Sequence, residues 1–529
     1  MIGAIRYNNE SNGAAMNGAE SLVRTLVAGK VDVCFTNPGT SEMHFVSALD
    51  RVDGMRCVLG LFEGVVTGAA DGYYRMKGTP ASTLLHLGPG LGNGIANLHN
   101  AKKASSGIVN IVGQHATYHI EHNAPLTSDI EGLARPVSAW VRTSPNAKSV
   151  ARDGAAAIAA ASAAPGQIAT LILPADTAWN EADGFAEVGE ISQRAALSGT
   201  AVDNAAKILK SGEPTLILMS HRALREDGLA LAAQISGKTG AKVMAQGSNP
   251  RMARGAGRYS IDRVPYVVDL AVNTLKDFRH IILVEAVEPV AFFAYPDKPS
   301  LLKADGAKVH SLCEIGGDCI GSLQALADAV GAKPSDAKPQ QHAEIVKPTG
   351  ALTHASIAAA IAAAIPENAI VVDEAVTTGR AFFAPTAGAK PHDWLQNMGG
   401  SIGYGTPVAT GAAVACPDRR VIALEGDGSA MYTLQSLWTQ AREQLDITTV
   451  IFANRTYEIL KGEFTNVQAG SPGKKAVDML NLDRPALDWV SLAKGMGVPG
   501  VSVSNAEDFH KELANSVKTP GPRLIEVLM

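Results

Sequence analysis

The sequence lacks several features that would place it in particular classes of protein. No apolar run approaches the roughly 20 residues that a membrane-spanning helix needs, so an integral membrane protein is not expected. The chain has five cysteines, which are scattered, and Cys313 and Cys319 are too far apart to form a C-x-x-C pair. Neither a disulfide scaffold nor a zinc site is expected, and a reduced, cytoplasmic compartment is the default expectation.

Basic clusters and a targeting segment are also lacking. The net charge is −5 and no basic stripe is present, so nucleic acid is not an expected partner. The first residues do not show a charged segment followed by an apolar one, so a signal peptide is not expected. We predict instead that residues 1–16 are a disordered lead-in, with Met16 close to the functional start.

What the chain does have is length and a regular alternation of buried strands with helices. At 529 residues it is too long for a single core. Strands that alternate with helices favour parallel sheets, and the sequence therefore predicts an α/β fold of three tandem parallel-sheet domains. We place these domains at residues 17–187, 198–332 and 351–529, with a linker rich in Lys, Pro, Gln and Ala at 333–350.

The segment from Val421 to Tyr457 indicates chemistry. A strand over Val421–Leu424 leads through a tight Gly-Asp-Gly turn into a predicted helix over Ser429–Glu443, and a second strand follows over Thr448–Ala453. The turn brings backbone N–H groups and a carboxylate to a helix start, where a phosphate can bind if a divalent cation lies between the two anions. Gly-Asp-Gly alone is more often an ordinary turn. The joint pattern of GDGS, about 25 residues and then N-x-T-Y is more specific.

That joint pattern resembles the diphosphate–Mg²⁺ motif of thiamine diphosphate (ThDP) enzymes. The three-domain arrangement is similar to that of the ThDP-dependent decarboxylase and acetolactate synthase-like family, in which a pyrimidine-binding, a central and a diphosphate-binding domain follow one another. The resemblance implies ThDP and Mg²⁺ as cofactors. It also implies that the metal is held by Asp427, Asn454 and the carbonyl of Thr456.

Two further motifs match the family. Glu63 begins a predicted helix in E-x-x-x-x-x-A-A-D-G-Y-x-R, and by itself would be a helix-start glutamate favoured by the helix dipole. The resemblance implies instead that it contacts the cofactor pyrimidine, a role that needs a buried carboxyl able to hold a proton. In GSIGYGTP, Ile402 would be the apolar wedge beneath the cofactor. The implied cofactor-binding set is Glu63, Thr377, Thr378, Gly400, Ile402, Gly426, Asp427, Gly428, Ser429, Asn454 and Tyr457.

The substrate side is suggested by polar residues after three strands of the first domain, since ligands of parallel sheets bind at the carboxyl ends of strands. These are Thr40 in NPGTSE, His86 in LLHLGPG and His115 in GQHATYH, where Gln114 and His119 also occur. A lone histidine is more often structural than catalytic. Here two strand ends of one domain carry histidines, and this favours a catalytic role. We predict Glu63, His86, Thr40 and His115 as catalytic, and Gln114, Phe293, Ile459 and Leu460 as lining the substrate pocket.

The nearest resemblance within the family is to the benzoylformate decarboxylases. Their central domain carries a catalytic histidine, whereas the stretch AVEPVAFFAYPDKP contains none, and Phe293 takes that place. The resemblance implies decarboxylation of a benzoylformate-like 2-oxo acid to an aldehyde, with possible carboligation to acyloins. It also implies a homodimer with shared active sites, assembled further as a homotetramer.

Three alternatives stay open. The first is a flavin-independent carboligase of the acetolactate synthase type. The second is a nicotinamide-dependent oxidoreductase that uses the GPGLGNG stretch, Gly88–Gly94, although its glycine spacing departs from G-x-G-x-x-G and a tight strand-to-helix turn is the better interpretation. The third is a ThDP-binding scaffold without turnover, which the presence of both Glu63 and Asp427 disfavours.

Overall fold

The computed structural model describes residues 7–8 and 16–529, and the predicted lead-in lies largely outside the described residues. Apolar strand segments form three sheets of six, five and seven strands, all parallel apart from one edge strand of the largest. The predicted α/β fold is confirmed. No helix in the described part of the chain is long and apolar enough to cross a membrane.

The N-terminal part of the chain forms the six-stranded sheet, in the order β3-β2-β4-β5-β7-β6, and a short antiparallel pair of β1 and β8. Its central strands are buried along their whole length. The strands are β1 (Tyr7–Asn8), β2 (Val33–Asn37), β3 (Arg56–Leu59), β4 (Ala81–Leu85), β5 (Ile108–Gln114), β6 (Trp140–Thr143), β7 (Ile168–Pro174) and β8 (Phe185–Ala186); the helices are α1 (Gly18–Ala28), α2 (Met43–Arg51), α3 (Glu63–Lys77), α4 (Leu87–Lys103), α5 (Ile130–Ala134), α6 (Ala147–Ser162) and α7 (Ala175–Trp179).

The middle of the chain forms the five-stranded sheet, in the order β12-β10-β9-β13-β14. One strand from this region, β11, instead pairs antiparallel with β16 of the third sheet. The elements are α8 (Gly199–Ser211), β9 (Thr215–Met219), α9 (Glu226–Thr239), β10 (Lys242–Ala245), β11 (Met252–Arg254), β12 (Asp262–Arg263), α10 (Val268–Leu275), β13 (His280–Val284), β14 (Lys308–Cys313) and α11 (Cys319–Val330).

The C-terminal part completes the seven-stranded sheet, in the order β11-β16-β15-β17-β18-β20-β19. The helix that the sequence predicts over 429–443 is broken in two, α15 and α16. The elements are α12 (His354–Ala364), β15 (Ala369–Glu374), α13 (Val376–Gly379), β16 (His392–Gln396), α14 (Gly405–Ala415), β17 (Val421–Gly426), α15 (Asp427–Ala430), α16 (Ser436–Arg442), β18 (Ile447–Ala453), α17 (Glu458–Asn466), α18 (Lys474–Leu480), α19 (Trp489–Gly495), β19 (Gly500–Val503), α20 (Ala506–Ser516) and β20 (Arg523–Leu528).

By compactness the chain divides into two units. The first unit comprises Met1–Gln193, Gly399–Asp418 and Tyr432–Leu445, and so includes α14 and α16. The second unit comprises Arg194–Met398, Arg419–Met431 and Asp446–Met529. The division into three functional domains stays a prediction; the three sheets fall in the three predicted ranges, apart from β11.

Candidate active site

In the second unit, three neighbouring strands bring the predicted diphosphate-side residues to one edge of the seven-stranded sheet. The strands β15, β17 and β18 are adjacent and parallel, so their carboxyl ends lie together. The residue that opens α13, Val376, has a left-handed φ of 47°, which is strained for a β-branched side chain and is typical of functional sites. The residues at this edge are Thr377 and Thr378 after β15, Gly426, Asp427, Gly428 and Ser429 after β17, and Asn454, Thr456 and Tyr457 after β18.

Asp427 joins two of these loops. Its Oδ1 accepts from the N–H of Gly428 at 2.8 Å, and its Oδ2 accepts from the N–H of Arg455 at 2.7 Å. Burial raises the pKa of the Asp427 carboxyl, although these backbone donors act in the opposite direction. A buried anion supported mainly by neutral amides is a favourable place for a cation.

The neighbouring residues leave room for a ligand. A Cβ at Gly426 would make only ordinary contacts with protein atoms, the nearest being Ser429 Oγ at 3.5 Å, so protein packing alone does not require a glycine there. A Cβ at Gly428 would overlap the ring of Tyr457. No group of three His, Cys, Asp or Glu side chains in the described part of the chain could hold a metal. The predicted set is of another kind, with one carboxylate, one amide oxygen and one carbonyl, as Mg²⁺ sites shared with phosphates often have.

Two buried glutamates at the same edge were not predicted from the sequence. Glu374 and Glu425 are register partners on β15 and β17, and both are buried. Burial, followed by the neighbouring Glu374, raises the pKa of Glu425 well above its ordinary value. The neutral, protonated form of Glu425 is therefore favoured over its carboxylate.

In the first unit, Glu63 is the first residue of α3 and is 8% exposed. Its Oε2 accepts from Nδ2 of Asn93 on α4 at 3.0 Å. A Cβ at Gly90 would lie 3.3 Å from its Oε1, and Gly94 accepts a hydrogen bond from Thr67 of α3. The Gly88–Gly94 stretch therefore lies in the first turns of α4, not in a tight turn, and its glycines at 90 and 94 allow α3 and α4 to approach each other.

The predicted wedge loop is also fixed by α4. Asn100 Nδ2 donates to the carbonyl of Ser401 at 2.8 Å, and Asn97 Nδ2 donates to the carbonyls of Gly64 and Gly403 at 2.8 and 3.1 Å. Asn97 thus connects the start of the Glu63 helix with the loop that carries Ile402. Sequence reasoning missed this residue because an asparagine inside a helix has no distinctive pattern.

The remaining charged residues of the Glu63 motif are structural. Arg75 Nη2 and Asp71 Oδ2 are 2.6 Å apart, and both side chains are 1% exposed. Arg75 also donates to the Tyr404 hydroxyl at 3.4 Å. The motif therefore supplies both Glu63 and an ion pair that holds α3 against the wedge loop.

The predicted catalytic residues of the first unit follow β2, β4 and β5, which are adjacent in the six-stranded sheet. Thr40 is exposed, in a 3-10 turn. His86, directly after β4, has its Nδ1 2.8 Å from Oε2 of Glu42. Burial raises the pKa of Glu42, while His86 acts in the opposite direction.

Gln114 and His115 lie at the end of β5. Gln114 is buried and its Oε1 accepts from the N–H of His115 at 2.7 Å. The His115 ring packs against His119 with 5.4 Å between centroids, and its Nε2 is buried without a hydrogen-bond partner. Burial, followed by His119 and His86, lowers the pKa of His115, so the neutral imidazole is favoured.

The predicted pocket residues lie in the second unit. Phe293 is 51% exposed and packs edge-to-face with Phe292 and Tyr295. Tyr295 donates to Glu463 of α17 at 3.3 Å. The same helix carries Ile459, which is partly buried, and Leu460, which is exposed. An exposed aromatic segment is therefore tied to the helix that follows the predicted metal loop.

Comparisons with known proteins agree with this geometry. Residues 16–133 match the model of the thiamine pyrophosphate enzyme N-terminal TPP binding domain, and residues 379–527 match that of the C-terminal TPP binding domain. A benzoylformate decarboxylase of Pseudomonas aeruginosa is 30% identical over 93% of this chain and 95% of its own. The chain belongs to the ThDP enzyme family. ThDP, also called thiamine pyrophosphate, is its cofactor, and the chain is a ThDP-dependent enzyme.

Other relatives span both branches of this ThDP enzyme family. A Mycobacterium tuberculosis protein named provisionally as the acetolactate synthase large subunit IlvX is 51% identical over 97% of this chain and 99% of its own. The structure of a ThDP-dependent 4-hydroxybenzoylformate decarboxylase from Rhodococcus jostii superposes with a TM-score of 0.85 at 27% identity, covering 97% of this chain and 99% of that one. The similarity therefore covers nearly the whole ThDP enzyme.

Proposed function

We propose that this ThDP enzyme decarboxylates a 2-oxo acid with an aromatic or other apolar side chain to the corresponding aldehyde. The observation that carries the proposal is the placement of His86 and His115 after adjacent strands of the unit that also holds the buried Glu63. The exposed aromatic segment around Phe293 supports an apolar substrate side chain. The names of the benzoylformate decarboxylase relatives agree with this class.

Each unit carries residues that we propose contact ThDP or its metal ion. Mg²⁺ would bind the Asp427 carboxylate, the Asn454 amide oxygen and the Thr456 carbonyl, and Glu63 would hold the pyrimidine ring. The residues proposed to contact the diphosphate or the remaining ring are Thr377, Thr378, Gly400, Ile402, Gly426, Gly428, Ser429 and Tyr457.

The reaction needs one proton for each CO₂ released. When bound, ThDP supplies the electron sink for the carbanion that decarboxylation leaves. The former carbonyl carbon must then gain a proton to become the aldehyde C–H. His86 and His115 can hold and deliver that proton, and a positioned acid of this kind typically contributes 10²- to 10⁴-fold.

The test is CO₂ release from a panel of 2-oxo acids, with ThDP and Mg²⁺ supplied. We expect release from benzoylformate-like acids to exceed release from pyruvate. Absence of release from every acid would contradict the proposal. The Asp427→Ala variant is the background control.

Carboligation is a second candidate, favoured by two observations. The segment 286–299 has no histidine, and the relative that is 51% identical carries an acetolactate synthase name. With one proton donor fewer, the aldehyde forms more slowly, and an acceptor carbonyl has more time to react. Adding acetaldehyde or benzaldehyde should divert product to acyloin, and Phe293→His should shift the partition towards aldehyde. An unchanged partition in that variant would contradict this role of Phe293.

For the assembly, we propose a homodimer with shared active sites that associates further as a tetramer, in the cytoplasm. The proposal rests on the family resemblance, and Glu63 and Asp427 fall in different compact units of the chain.

A further inference from the structure

Glu42 and His86 form a contact for which the proposed function has no role so far. The two residues are 44 positions apart and follow adjacent strands, β2 and β4. Glu42 Oε2 lies 2.8 Å from His86 Nδ1 and 2.9 Å from the backbone nitrogen of Gly39. The Glu42 side chain is 1% exposed, whereas the His86 side chain is 22% exposed. The Glu42 carboxylate is therefore shielded from solvent, and the His86 imidazole is the more accessible of the two groups.

Two glycines make this pair sterically possible. A Cβ at Gly39 would overlap the His86 ring, and a Cβ at Gly113 would overlap the Glu42 carboxyl group. Both glycines lie beside the strand ends, at the close of N-P-G and in V-G-Q. The backbone after β2 and the backbone at the end of β5 thus both leave space for the glutamate–histidine contact.

The hydrogen bonds favour one position for the proton on the imidazole. The backbone N–H of Gly39 can only donate, so Oε2 of Glu42 is an acceptor in that bond. When Glu42 is ionised, its carboxylate can only accept, and Nδ1 of His86 then carries the hydrogen. Nε2, on the far side of the ring, is left as the atom that can take up or release a proton.

A simpler role for Glu42 is helix capping. It is the third residue of the turn that starts after Gly39, and a glutamate there commonly accepts from the N-cap backbone N–H. Capping accounts for the Gly39 contact. It does not require the same oxygen to meet a histidine from another strand, nor a glycine at 113 that accommodates the carboxyl group.

We propose that Glu42 is a positioning residue that holds His86 as the Nδ1–H tautomer and so presents Nε2 to the substrate. The inference rests on the proposed function, in which His86 moves the proton that completes the aldehyde. It also accounts for the different exposure of Glu42 and Thr40 in one NPGTSE motif: Thr40 is exposed, and Glu42 is the residue that reaches the histidine.

The first test reads the tautomer directly and needs no substrate. Histidine labelled with ¹⁵N is incorporated, and the His86 signal is assigned by its loss in His86→Gln. At about pH 9, well above the ordinary imidazole pKa of about 6.5, the wild type should show protonated Nδ1 and bare Nε2. Glu42→Ala removes the acceptor of the Nδ1 hydrogen, so the hydrogen should move to Nε2. A signal still showing Nδ1–H in Glu42→Ala would overturn the proposal.

The second test measures turnover. Glu42→Ala should lower kcat for the best 2-oxo acid by about tenfold to a hundredfold, with KM changed less than about threefold, because only proton delivery is impaired. Glu121→Ala is the matched control: it removes a carboxylate 3.9 Å from His122 at an exposed position, and should leave kcat unchanged. A Glu42→Ala kcat within twofold of wild type would overturn the positioning role. If the wild type decarboxylates no 2-oxo acid, the proposed function fails, and the tautomer experiment still decides whether Glu42 orients His86.

Discussion

Asp427 is a buried carboxylate whose observed hydrogen-bond donors are two neutral backbone amides. If it holds the metal, Asp427→Ala should abolish Mg²⁺-dependent ThDP binding measured by calorimetry. Losing the acceptor also leaves two buried N–H groups unpaired, at a cost of about 1–3 kcal/mol each. Asp427→Asn keeps one acceptor oxygen and should lose the cofactor with less effect on the unfolding midpoint. Unchanged ThDP affinity in both variants would contradict the assignment, and the exposed Asp418→Ala should bind normally.

Asp393 is a second buried carboxylate, with a structural role. Burial alone would raise its pKa, but Arg251 and Arg419, at 3.0 and 2.7 Å from its Oδ2, lower the pKa to about 2. Because the pKa of Asp393 in the folded protein lies below its unfolded value of about 3.9, the ion pairs of Asp393 with the two arginines stabilise the fold above about pH 4. That contribution is about 2–3 kcal/mol and is lost as the pH falls towards 2.

We therefore expect Asp393→Asn to lower the urea midpoint strongly at pH 7 and only slightly near pH 2. In Asp393→Asn, two partly buried arginines lose their carboxylate partner. The free energy of unfolding at neutral pH should therefore fall by about 3 kcal/mol or more. The exposed pair of Asp262 and Lys242 offers the control, since Asp262→Asn should change the stability by less than about 1 kcal/mol at either pH. A midpoint difference that does not depend on pH would contradict the ionic origin.

At the scale of elements, α3 and α14 pack through glycines. A Cβ at Gly72 of α3 would overlap the backbone of Val408, and a Cβ at Gly411 of α14 would overlap the carbonyl of Ala69. In an exposed helix, Gly→Ala stabilises by about 0.5–1 kcal/mol. Here we expect Gly411→Ala to destabilise by about 1–3 kcal/mol, because backbone must move. A Cβ at Gly92 of α4 would meet no atom within 4 Å beyond its own helix backbone, and Gly92→Ala should stabilise. Thermal unfolding of both variants checks the contrast, and equal shifts would contradict it.

The elements also show what local sequence can and cannot specify. The strand predicted over His280–Val284 has the same bounds in the structure. The strand predicted over Val421–Leu424 begins as predicted and ends later, at Gly426. Their continuous apolar runs make such buried strands recognisable. The predicted helix over 429–443 is wrong as one element, since the chain leaves the helical conformation between α15 and α16, which fall in different compact units.

The same limit applies to the site. The sequence predicts a tight strand-to-helix turn at Gly88–Gly94, but the structure has the first turns of α4 there. Glycines weaken an isolated helix, and in this helix Gly90 and Gly94 pack against Glu63 and Thr67 of α3. Asp427 and Glu63 stand out through motifs of local sequence. Glu42 does not, since its partner His86 is 44 residues away and is brought near only by strand pairing. The roles of the individual site residues stay predictions.

At the scale of the whole molecule, the proposed assembly requires that Glu63 and Asp427 serve one cofactor. The family resemblance implies that each active site combines halves from two subunits. Glu63→Gln alone should retain ThDP but turn over about 10²- to 10⁴-fold more slowly, and Asp427→Ala alone should not bind ThDP. Each homodimer is then inactive for a different reason.

Mixing the two variants should restore activity. A dimer containing one Glu63→Gln and one Asp427→Ala subunit has one site with both defects and one site with neither. If subunits exchange at random, half of the dimers are such hybrids, and each has one of its two sites intact. Activity should therefore approach about a quarter of wild type. Subunit exchange is verified with differently tagged chains, and each variant mixed with itself is the control. If tagged hybrids form and show no activity above the separate variants, the cofactor site is not shared between subunits.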